Sequence, residues 1–175
     1  MCRIALLLIA AMSLSAQESA VGMRLYALAP MGDLRDLTGG QLGGGASVFV
    51  SIPVGGGLVL RPTAGALLVP KGDTKGLTGT KTSIGSVDLM VEGLWFPDED
   101  PERGAYLVGA IGLQQWRVSA IGTTPSTRSS SRMGASVGLG YLFGAHLGFE
   151  ARGIWSPVEK NLTATGVALG MTMKF

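Results

Sequence analysis

Residues 81–96 read "KTSIGSVDLMVEGLWF", and the fold turns on how they alternate. Successive side chains of an extended chain point to opposite faces. Val87, Leu89, Val91 and Trp95 therefore share one face, and Ser86, Asp88, Met90 and Glu92 share the other. One side is uniformly apolar while the other carries two carboxylates. This pattern suits a strand standing between lipid and an enclosed polar interior.

Seven further segments alternate in the same way and are separated by turn signals. They span residues 21–29, 42–52, 58–69, 104–118, 132–143, 146–155 and 162–175. In the sixth strand, Met133, Ala135, Val137, Leu139, Tyr141 and Phe143 oppose Gly134, Ser136, Gly138 and Gly140. In the seventh, Leu147, Phe149, Ala151 and Trp155 oppose Gly148, Glu150 and Arg152. Only the fifth is ambiguous, because both of its faces are apolar. The connections alternate long and short, as an eight-stranded barrel with both termini on one side requires. The acidic turn at residues 97–103 is longer than that rule, and the last outer loop is shorter. Trp95, Tyr106, Tyr141, Phe143 and Phe175 fall near one set of strand ends, with Trp116 and Trp155 near the other. Such placement predicts two interfacial aromatic girdles.

Composition agrees with a membrane setting. Hydrophobic residues make up 46% of the 175-residue chain, charged residues 15%, and 28 residues are glycine. Soluble domains carry roughly 25% charge. Glycine interrupts the later hydrophobic runs, so none has the length of a membrane helix. The opening "MCRIALLLIAAMSLSAQ" has a basic Arg3, an apolar run at residues 4–12 and small residues before Gln17. It reads as a cleaved secretory signal peptide over residues 1–16. Gln17 stands where a lipoprotein would need cysteine, and the one cysteine, Cys2, would leave with the leader. The mature chain, residues 17–175, would have no disulfide and no thiol chemistry.

The stretches "DLMVEGLWF", "AYLVGAIGLQQW", "GASVGLGYLF", "HLGFEARGIW" and the terminal "LGMTMKF" resemble the hairpins and closing strand of small outer-membrane β-barrel proteins. That group holds the opacity-type barrels and the OmpA membrane domain. The resemblance implies that the last strand, with Val167, Leu169, Met171, Met173 and Phe175, is the signal read by the outer-membrane assembly machinery. Residue by residue, this is the lipid-facing row of "TGVALGMTMKF", residues 165–175, which must pair with the first strand because lipid tolerates no open sheet edge.

Candidate chemistry lies inside. Arg24, Arg61 and Arg152 and the acids Asp88, Glu92 and Glu150 fall on lumen faces within strands. Charges in a low-dielectric interior need partners. They are expected to form one paired network, either filling the lumen or gating a narrow pore; eight strands enclose little more than side chains can fill. Arg35, Lys71, Lys75, Lys81, Arg117, Arg128, Arg132 and Lys160 make the outer rim basic against Asp33, Asp36, Asp73 and Glu159. A basic rim suits lipid and lipopolysaccharide phosphates. Asp98, Glu99, Asp100 and Glu102 make the opposite turn acidic but lack the spacing of a calcium loop. His146 has no serine or orienting acid beside it in sequence, which argues against hydrolysis. "GASVGLG" from Gly134 lies within a strand, not before a helix, so it is not read as a phosphate loop.

The sequence thus predicts an all-β, eight-stranded antiparallel up-and-down transmembrane β-barrel. The expected protein is non-enzymatic, with no catalytic residue, metal, cofactor or nucleic-acid partner. It would display loops around residues 30–41, 70–80, 118–131 and 157–162 for an extracellular partner that the sequence does not identify. The alternative function is a narrow porin-like passage for small or hydrophobic solutes. A soluble lipocalin-like binder is disfavoured, because it would turn its apolar face inward.

Overall fold

The computed structural model describes residues 19–122, 125–159 and 162–175. The expected leader and Lys160 lie outside these residues. Eight strands close into one antiparallel barrel in chain order. They are β1 (Ala20–Met31), β2 (Gly43–Gly55), β3 (Leu58–Asp73), β4 (Lys81–Trp95), β5 (Gly104–Ile121), β6 (Ser126–Leu142), β7 (Leu147–Glu159) and β8 (Leu162–Lys174). Closure is made by β1 on β8, in register from Gly22 opposite Lys174 to Met31 opposite Thr165. The Phe175 amide extends this seam by donating to the Val21 carbonyl at 2.8 Å. No edge strand is left, which is the condition for standing in lipid.

At the β2–β3 turn Gly55, Gly56 and Gly57 take φ of 95°, 59° and 70°. This left-handed path is open to glycine at little steric cost, so three glycines make the short connection possible. The first outer connection differs from the expected loop. Residues 32–38 form a short helix, α1 (Gly32–Thr38), which buries Leu34 and Thr38 over the barrel mouth. Its apolar pair, Leu34 and Leu37, has helical spacing, but the segment is too short for periodicity alone to reveal it.

A second difference concerns β5 and β6, which run on to Ile121 and from Ser126 and stay paired up to Ala120 opposite Ser126. Most of the expected Ser/Thr-rich loop is therefore strand. On the β6 side of this arm residues 126–132 are all polar or charged, so the period-two signal vanishes there while backbone pairing continues.

The facing of β4, β6 and β7 follows the sequence reading: Val87, Leu89, Val137, Leu139, Phe149 and Trp155 are exposed outward. The structure also resolves β5. Tyr106, Val108 and Trp116 point inward and are buried, while Leu107, Ile111 and Leu113 point outward. Tyr106 and Trp116 thus leave the aromatic girdles assigned to them. Burial decides the matter: each ring fills lumen space beside small partners. Tyr106 lies over Gly140, its cross-strand neighbour, where any Cβ would collide with the ring.

The lumen is layered. Near the termini, Val59, Leu94, Phe96, Tyr106, Val108 and Leu142 form one apolar layer. Near the outer loops, a larger one includes Leu28, Leu34, Val69, Ile84, Trp116 and Val158. The buried charges lie between them.

Candidate functional site

Register positions each charged side chain. Arg61 on β3 is directly opposite Glu92 on β4. Glu150 on β7 lies between Gly140 and Gly170, and Arg152 between Gly138 and Ala168. These small neighbours leave the volume that two long side chains need. Arg24, on β1, reaches in from beside Thr172.

Each of the three arginines contacts both glutamates. Arg24 lies 3.0 Å from Glu92 and 3.1 Å from Glu150. Arg61 donates through Nε to Glu92 at 2.7 Å and also bonds Glu150. Arg152 donates through Nε to Glu150 at 2.7 Å and through Nη1 to Glu92 at 2.9 Å. The Tyr106 hydroxyl adds a bond to Glu150 at 2.8 Å, and the Arg61 guanidinium stands 4.5 Å from the Phe49 ring centre. All five charged side chains are buried. In such an interior, attraction offsets desolvation only when the remaining donors and acceptors are also satisfied. Charge-assisted bonds do that here.

Asp88, also singled out in the sequence, is on the lumen face and buried, but it is not in this cluster. Its cross-strand neighbours are Gly65 and Gln114, neither a cation, and it stands four residues along β4 from Glu92. That is roughly 13 Å of strand, beyond the reach of a short side chain. Sequence alternation locates the face of a residue, whereas its height along the lumen depends on register.

Tyr106, read from the sequence as a girdle residue, and Phe49, not singled out, both join the cluster. The available signal was Gly140 opposite Tyr106, and reading it required the β5–β6 register. Val167, Leu169, Met171 and Met173 lie on the outer face of β8, and Phe175, just past its end, is exposed. His146 is exposed at the β6–β7 turn, with Nδ1 3.1 Å from the Lys174 carbonyl.

The two ends of the barrel differ in charge. Arg35, Lys71, Lys75, Lys81, Arg117, Arg128 and Arg132 are exposed at the loop end. Lys75 pairs with Asp36 at 3.2 Å and Arg128 with Glu159 at 3.4 Å. The acidic turn after β4 lies at the end that holds the termini.

No protein-family model matches the chain, and no curated protein matches its sequence. Solved structures do match its fold. The N-terminal β-barrel domain of Pseudomonas aeruginosa OprF superposes with a TM-score of 0.66 at 11% identity, covering 89% of this chain and 97% of that one. Ail, the attachment invasion locus protein of Yersinia pestis, gives 0.62 at 11% identity over 90% and 97%. Neisserial surface protein A gives 0.61 at 15% identity over 91% and 100%. This chain has the fold of the eight-stranded outer-membrane barrels. With so little identity, the likeness lies in backbone architecture.

In an outer-membrane barrel the wall must keep its backbone hydrogen bonds wherever it meets hydrocarbon. Here the β6–β7 ladder stops at Ala135 opposite Trp155, although both strands continue. Pro157, two residues on, has no N–H to offer. Above that point the strands are joined by side chains instead, including a bond from the Ser130 hydroxyl to the Val158 carbonyl.

Proposed function

We propose that this chain is a non-enzymatic bacterial outer-membrane protein, exported by a cleaved leader over residues 1–16, with a closed lumen and a role carried by its outer surface. The observation that carries the reading is the filled interior. Three arginines bound to two glutamates stand between two apolar layers. The outer wall supports a membrane setting. Residues 133–143 of the sixth segment rise about 34 Å, or about 26 Å at a tilt near 40°, close to the ~25 Å apolar band of such barrels. The end of the β6–β7 ladder then falls at the outer edge of that band, marked by Trp155.

Lipid and lipopolysaccharide are the proposed partners of the wall and basic rim, and the assembly machinery that of the terminal strand. Ail, one structural neighbour, has been solved with the heparin analogue sucrose octasulfate and in a phospholipid nanodisc. The basic rim here is suited to phosphate or sulfate groups by charge alone.

Planar-bilayer recording of the refolded barrel tests the closed lumen. We expect no steady conductance. Steady ohmic current altered by Glu92→Ala would favour the second reading, a narrow channel, which the partly open cavity beside the network supports. Assembly is tested by deleting Phe175. Outer-membrane levels should fall far more than after any loop deletion, and unchanged levels would remove the proposed role of the terminal strand.

A further inference from the structure

Between the Arg/Glu network and the loop-end apolar layer lies a partly open cavity of ≈ 60 Å³. It has room for about two to four water molecules. Asp88, Ser86, Gln114, Arg24 and Arg152 all line it. Ser86 Oγ and Gln114 Oε1 are buried and have no hydrogen-bond partner among the described residues. Asp88 is 9% exposed and makes no ion pair with a described cation. The unpartnered Ser86 hydroxyl and Gln114 amide oxygen, together with a carboxylate that has no cation of its own, point to a bound solvent species in this part of the lumen.

Charge decides what that species is. The contacting cluster holds three guanidinium groups and two carboxylates, leaving one positive charge in excess. A cation in the cavity would add to that excess. A free anion would face Asp88. Water fits both walls, since it donates to Asp88 and Gln114 and accepts from arginine N–H groups. An ionised Asp88 supplies the missing negative charge and brings the lumen to neutrality.

We propose that this cavity is a monovalent-anion site whose resident anion is the Asp88 carboxylate, joined to Arg24 and Arg152 through bound water. Asp88 is then the sixth charged member of the network, linked through solvent. The inference goes beyond the closed-lumen reading and does not depend on it. It follows that removing the carboxylate leaves a vacant anion site of about one charge.

The test uses the refolded full-length barrel. In Asp88→Ala the carboxylate is lost and space is opened. Its thermal midpoint should rise by several degrees with bromide or iodide, relative to sulfate at equal ionic strength, because a ligand that binds only the folded state stabilises it. Wild type should not respond. Infrared spectra of wild type with isotope-labelled aspartate should show no protonated carboxyl band at neutral pH. A halide-indifferent Asp88→Ala overturns the proposal. So does a protonated Asp88 in wild type, a measurement that stands even if the variant does not refold. Steady conductance in wild type would end the closed-lumen reading while leaving the halide response as an independent result.

Discussion

The middle of the lumen and its loop-side half solve one packing problem with opposite chemistry. Between the two apolar layers, five charged side chains and Tyr106 fill the barrel through hydrogen bonds. Toward the outer loops, Leu28, Ile84, Val69, Trp116 and Val158 fill it by contact, with Leu34 of α1 closing the top. The apolar half tolerates a missing atom at the cost of a cavity. The charged layer cannot lose one partner without weakening the rest, because each glutamate serves three arginines. Ionic packing in this barrel is therefore less divisible than apolar packing.

That contrast can be broken most sharply at Glu92. Glu92→Ala leaves three buried arginines to share Glu150 alone, and we expect a loss of about 3–5 kcal/mol, the range for breaking a buried ion pair. Urea titration of the barrel refolded in vesicles measures it. A cost under 1 kcal/mol would mean that the network contributes little. Trp116→Ala probes the apolar half and should cost about 3 kcal/mol, near the lower end for large-to-small core changes. The Trp116 indole also donates to the Ser156 hydroxyl at 3.0 Å, so Trp116→Phe should retain most of the stability that alanine loses. Tyr106→Phe removes only the hydroxyl bonded to Glu150 and should cost about 1–2 kcal/mol in the same titration. At the exposed rim Lys75→Ala breaks the Asp36 pair and should change stability by less than about 0.5 kcal/mol. A rim effect as large as that of Tyr106→Phe would erase the distinction between buried and surface charge.

Much of the fold is legible along the chain because lipid imposes a strict rule on alternate residues. Val87, Leu89 and Val91 against Asp88 and Glu92 suffice to orient β4. The rule fails where its cause is absent. On β5 both faces are apolar, so Tyr106 and Trp116 read as girdle residues although they point inward. In the β5–β6 arm residues 126–132 are all polar or charged, and strand reads as loop. Leu34 and Leu37 occupy too short a segment for a helical period to stand out.

The site is partly legible for a related reason. Arg24, Arg61, Glu92, Glu150 and Arg152 are conspicuous as charges on an inward face. Asp88 is equally conspicuous, yet it is held apart, opposite Gly65 and Gln114.

By itself the sequence determined the strand count, the facing of most strands and which charges are interior, because each follows from a period of two along one chain. Only the tertiary structure decided which of those charges meet, where Tyr106 and Trp116 point, and that Asp88 faces a cavity. Those outcomes depend on stagger between strands distant in sequence, such as Arg24 on β1 meeting Glu92 on β4, and closure of the barrel sets that stagger.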